Sequence, residues 1–205
     1  MEYVSMLAGE AFGDSPRCTH PLLSGMARAV NDALDDMNRQ RLTPFVGRLF
    51  GTNGAEVAAI DNLNLDLSVW VGKQVIDALP AGSARTSLLW VVRHAAAGNA
   101  EQAEEAVNIA INSHELGYDH LVTCFTSLAA QARSPRSTNA GTGVAAHGAL
   151  AITRLTEDVS KRADVLINLL SGFLDEFDRL TGRTRNEVRE VGTTELLTLM
   201  ADALS

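Results

Sequence analysis

The sequence predicts an all-α fold, a single-domain helical bundle of about seven to nine helices with an irregular N-terminal arm. Three observations predict it. Apolar residues recur every three or four positions along most of the chain, which lines them up on one face of a coiled backbone. No stretch alternates apolar and polar residues long enough to require a sheet, and no repeat of about 20 to 50 residues points to a solenoid. Aromatic residues make up only 5% of the chain, so aliphatic side chains and alanine do most of the packing, which suits closely spaced helices.

Residues 1–19, with Gly9, Gly13 and Pro16 and no clear period, read as the irregular arm. Pro21 is preorganised for a first helical position, and Leu23, Met26, Ala27, Val30, Leu34 and Met37 extend a helix to about Met37. Thr43-Pro44 repeats the start signal for a short helix whose stripe of Phe45, Val46, Leu49 and Phe50 stops at Gly51. Val57 through Ala78 keeps a three-four alternation until Pro80, predicting a long amphipathic helix. Ser83 reads as the N-cap of a helix ending near Gly98, apolar nearly all round at Leu88 to Val92 and therefore expected at the centre of the bundle.

Asn99 opens a helix over Ala100 to Leu116 with Gln102 in the capping-box position. Asp119 opens the next, which ends at Ser134-Pro135. The Ser, Pro, Thr, Asn and Gly content of residues 134–143 predicts a flexible loop. Val144 to Leu180 lacks proline and reads as one helix or as two broken near Thr156; a single helix would span roughly 55 Å, longer than one core needs. Thr184 and Glu187 form a capping box for a C-terminal docking helix over 184–205.

A chain of 205 residues sits at the top of the single-domain range, and with 46% hydrophobic and 20% charged residues it carries enough apolar surface for an ordinary core. One domain over 1–205 is expected. The net charge of -8 opposes phosphate-backbone binding, so nucleic acid is a poor partner. No run approaches the roughly 18 apolar residues of a spanning helix, and Met1 to Asp14 lacks the pattern of a signal peptide. A cytoplasmic protein without membrane contact is the expectation. Cys18 and Cys124 lie far apart, form no C-x-x-C, and read as free thiols.

Motifs that carry chemistry are near misses. His114-Glu115 opens like a zincin, but the next histidine, His120, stands six positions on, where the rings would point about 120° apart. Cys18 with His20 offers a metal two ligands from one segment, short of the three or four that zinc takes, so no metal or cofactor is expected. Adjacent carboxylates such as Asp35-Asp36 and Glu104-Glu105 diverge by about 100° on a helix and make no acid/base pair. No phosphate-binding loop, nucleophile elbow or dinucleotide fingerprint is present. His94 and His147 sit among small or apolar residues, and Trp70 and Trp90 read as core anchors unless an indole is exposed, when it would mark a partner surface.

Residues 10–52, with Glu10-Ala-Phe-Gly-Asp, Cys18-Thr-His-Pro, Ala27-Arg-Ala-Val-Asn-Asp, Arg39-Gln-Arg-Leu, Pro44 and Arg48-Leu-Phe-Gly-Thr52, resemble the start of uncharacterised helical proteins from actinobacteria. The resemblance covers about a quarter of the chain and implies a bacterial cytosolic origin without an activity. Structural roles also suit its polar members: Asn31-Asp32 at the end of a neighbouring helix, and Arg41 or Arg48 paired with Asp35 or Asp36.

These readings lead to a non-enzymatic helical interaction protein that self-associates, through residues 144–180 and the last helix, with another copy or another protein as partner. The alternative is a small-ligand-binding or catalytic bundle with a buried pocket built from His94, Arg93, His147, Asp164 and Trp90.

Overall fold

The computed structural model describes residues 4–5, 9, 16–112 and 119–183. The expected docking helix over 184–205, His114 with Glu115, and most of the 1–19 arm lie outside the described residues. Among them there is no strand, and seven helices have 13 residues or more: α1 (Pro21–Ala33), α2 (Leu63–Ala78), α3 (Ser83–Ala96), α4 (Ala100–Asn112), α5 (Asp119–Arg133), α6 (Thr138–Leu155) and α7 (Arg162–Thr181). The all-α bundle expected from periodicity is the observed architecture.

Helix α1 begins at Pro21 but stops four residues before Met37. Leu34 turns extended, and the Asp35 carboxylate then accepts the Asn38 amide at 2.9 Å, starting a separate turn over Asp36–Arg39. Met37 consequently points to solvent. Thr43-Pro44 does not start a regular helix either. Pro44 lies inside a 3-10 segment, Gln40–Phe45, that runs into the four-residue Val46–Leu49.

The expected helix from Val57 to Ala78 is broken after Ala55–Ala58, because Asn62 adopts a left-handed φ of 62°, a conformation asparagine tolerates better than most residues. Helix α2 starts immediately afterwards. The long segment ending at Leu180 is two helices: α6 stops at Leu155, and Asp158 caps a 3-10 turn, Val159–Lys161, that leads into α7.

The loop expected over 134–143 shrinks to Ser134–Ser137. The Ser137 hydroxyl accepts the Ala140 amide at 3.4 Å, and α6 runs on through Gly141 and Gly143. These glycines serve close packing. A β-carbon at Gly141 would lie 2.8 Å from a Leu22 methyl on α1, and one at Gly143 would lie 2.9 Å from Ser127 Oγ on α5. Small residues thus let α6 pass through the middle of the molecule, where it packs against α1, α2 and α5.

Helix α7 lies on α1 and α2 and contributes Leu166, Leu170, Phe173 and Phe177 to the interior, each worth about 1.5–3 kcal/mol of apolar burial. The stripe over 144–180, expected at a partner surface, is therefore largely spent inside the fold. Trp70 is half-buried against Phe173, with ring centroids 5.7 Å apart.

Helix α3 is not the central helix its composition suggests. It packs on α2, α4 and α5 from one side, burying Leu88, Val91, Val92 and Ala95, while Leu89 and Trp90 face outward. A helix at the margin of a bundle can bury only one stripe, whatever its other faces carry.

Candidate functional site

The outward face of α3 and α4 concentrates the unusual surface of the molecule. On α3, Ser87, Trp90 and His94 follow one another at helical spacing. On α4, Gln102, Glu105, Ala106 and Ile109 do the same, and together the seven residues line a groove of about 250 Å³. The small Ala106 leaves the depression between the bulkier Trp90 and Ile109. Trp90 is 51% exposed, Ile109 58% and Leu89 42%, although each is large and apolar.

The indole is held from two directions. His94 stacks against it with centroids 5.8 Å apart, and the Arg93 guanidinium lies 5.5 Å from its centroid in cation–π geometry. Charge is segregated across the groove. Helix α3 carries Arg85, Arg93 and His94 and no acid, whereas α4 carries Glu101, Glu104 and Glu105 and no base. Arg85 is engaged with Asp77 at 3.5 Å and Glu104 with Arg133 at 2.5 Å, which leaves Arg93 exposed on α3 and Glu101 and Glu105 exposed on α4, with Glu105 lining the groove.

Of the residues expected in one pocket, Trp90, Arg93 and His94 come together here, and His147 and Asp164 do not line the groove. Asp164 pairs with Arg41 at 2.7 Å on the surface. His147, half-buried on α6, faces His120 in the first turn of α5 with their Nδ1 atoms 3.2 Å apart. Burial and then the neighbouring His120 hold the His147 imidazole below its ordinary pKa. Cys124, one turn along α5 from His120, is fully buried, and burial pushes its thiol up to about 12.

Cys18 packs against the core and His20 is buried. His20 turns inward, its ring 5.4 Å from Phe177, and burial drives its pKa down to about 4 against a hydrogen bond to Asn64 that raises it. It precedes α1 without capping it through its side chain. Cys18 Sγ lies 3.8 Å from the Thr19 hydroxyl, and among the described residues no group of three or more His, Cys, Asp or Glu is placed to hold a metal.

The polar residues of the N-terminal quarter mostly interlock two short segments. The His20 amide donates to Thr52 Oγ1 at 2.8 Å, Thr52 in turn donates to the Leu49 carbonyl at 2.8 Å, and Thr19 donates to the same carbonyl at 3.2 Å. Asn53 bonds back to Arg17 and Cys18. The arginine pairings expected with Asp35 and Asp36 are redistributed. Arg39 takes Asp36, Arg41 takes Asp164, and Arg48 reaches Asp175 and Asp178 on α7, since the short turns at 36–49 carry these side chains across to that helix.

Sequence reasoning missed Ser87, Gln102, Glu105, Ala106 and Ile109 as lining residues. One signal was present: Ile109 is out of phase with the inward stripe of Ala103, Val107 and Ala110, so it cannot share their face. The meeting of His120 with His147 has no sequence signal. No family model, curated protein or solved structure matches the chain. Among the described residues, no helix is long and apolar enough to cross a membrane.

Proposed function

We propose that this chain is a non-enzymatic helical interaction protein that self-associates in the cytosol, using the α3–α4 face as the contact between two copies. The observation that carries the reading is Trp90, a large indole left 51% exposed beside Ile109 and Leu89. Tryptophan and arginine dominate the residues that supply binding energy at protein interfaces, and Trp90 and Arg93 stand together on this face. A two-fold contact sets the same patch against itself. With α3 of one copy lying along α4 of the other, the basic helix meets the acidic one twice, and Arg93 faces Glu105 across each half.

A small-ligand pocket around His94 is the rival reading. The groove's volume of about 250 Å³ counts against it, since pockets for such ligands usually enclose about 300–1,000 Å³. Sedimentation or light scattering of the full chain at micromolar concentration tests the proposal. A dimer is expected, and Trp90→Ala or Ile109→Ser should shift it to monomer while leaving the helical signal intact. A wild-type monomer at 100 µM, or a dimer indifferent to both substitutions, rejects the α3–α4 contact.

A further inference from the structure

We propose that His120 and His147 form a two-imidazole chelate for a late first-row divalent transition ion, of the nickel or copper class. The two side chains come from different helices, α5 and α6, and their Nδ1 atoms face each other at 3.2 Å with the rings tilted by 38°. Metal–imidazole bonds of about 2.0–2.1 Å that meet near the tetrahedral angle place their two nitrogens about 3.3–3.4 Å apart, and a right angle places them about 2.8–3.0 Å apart. The observed separation falls between these values. An ion would use the lone pair of both nitrogens, whereas a hydrogen bond between them uses only one.

The bite is set by packed helices. Helices α5 and α6 are close neighbours, brought together where Gly143 meets Ser127 and where a β-carbon at Gly148, the residue after His147, would lie 3.6 Å from Cys124 Sγ. A pair held in this way needs little rearrangement to bind, in contrast to ligands gathered from a mobile segment.

The surrounding chemistry selects the class of ion. Cys124 is the nearest sulfur on α5, but it is buried with Sγ 3.8 Å from the Val144 carbonyl, so among the described residues the site presents nitrogen alone. Imidazole without thiolate or a carboxylate cage suits nickel and copper, and disfavours calcium and magnesium. Both histidines are partly open to solvent, and no third His, Cys, Asp or Glu joins them among the described residues. Such an ion would tie α5 to α6 across the Ser134–Ser137 connection as a reversible clamp.

Calorimetric titration of the untagged, chelator-treated full chain with nickel chloride, together with thermal melts at each nickel concentration, tests the proposal. One saturable site is expected, with Tm rising by about 5–10 °C once free nickel reaches roughly 100 times Kd. His120→Asn and His147→Asn should each weaken binding at least tenfold, and His94→Asn should leave it unchanged. No saturable binding below 1 mM nickel, or binding that survives both asparagine substitutions, overturns the chelate. Because a misfolded variant would mimic lost binding, the copper-loaded wild-type protein supplies a second reading by electron paramagnetic resonance. Hyperfine coupling to two or more nitrogens is expected, and coupling to one or none overturns the proposal.

Discussion

Gly148 on α6 lies so close to Val71 on α2 that a β-carbon would overlap Val71 Cγ1. The contact sits at the crossing of two core helices, where neither backbone can withdraw without opening the packing against α1 and α5. Gly148→Ala is expected to destabilise the fold by about 1–3 kcal/mol, the overlap outweighing the roughly 1 kcal/mol that alanine gains in helix propensity. Gly172→Ala, where the Trp70 ring edge stands 3.1 Å away, should cost less. Urea unfolding of the two variants checks the order, and equal midpoints would show that α6 can shift away from α2.

Arg48 joins the turns at 36–49 to α7 by donating to Asp175 at 2.8 Å and Asp178 at 2.7 Å. Arg48 and Asp178 are only 12% and 13% exposed, so each depends on the other for its charge to be tolerated. Arg183, 3.9 Å from Asp178, compensates only in part. Arg48→Met should therefore destabilise by about 3 kcal/mol, while Asp175→Asn, at the half-exposed partner, should cost less than about 1 kcal/mol. Denaturant midpoints decide between this asymmetry and a purely superficial network.

His20 makes stability depend on pH. Its folded-state pKa is lowered from 6.5 to about 4 by burial, so between these values the unfolded chain binds the proton and the folded chain does not. The contribution is fully present above pH 6.5 and is lost as pH falls through that window, amounting to about 3 kcal/mol. His20→Phe, which keeps a ring against Phe177, should flatten the fall in urea midpoint between pH 7 and pH 4. An unchanged slope would place the acid sensitivity elsewhere.

The opposite charges on α3 and α4 predict a swap experiment. Arg93→Glu alone should weaken the proposed dimer about tenfold or more, because it would set like charges against each other across the α3–α4 contact. Adding Glu105→Arg should restore most of the loss. Sedimentation equilibrium of the single and double variants reads this out, and failure of the double variant to recover would rule out the α3-against-α4 pairing.

Local pattern carried the fold a long way. The start of α1 at Pro21 and the end of α5 at Ser134-Pro135 were legible, and the break near Thr156 was one of the two readings the pattern allowed, because caps and prolines act within one helical turn. Other local signals misled for an equally physical reason. Gly141 and Gly143 look like loop residues, yet in α6 they are the small side chains that a crowded crossing requires. The site was legible in part: Trp90, Arg93 and His94 were singled out, but the residues facing them from α4 were not.

The sequence by itself determined that this chain coils into helices and which side chains must turn inward, since a three-to-four residue period is a property of neighbours along the backbone. Tertiary structure alone decided which apolar residues remained outside and which distant groups met. Trp90 is exposed because α3 lies at the margin of the bundle, and His120 meets His147, 27 positions on, because small residues let α5 and α6 approach. Such encounters depend on how helices cross and how closely they pack, which no short window of sequence encodes.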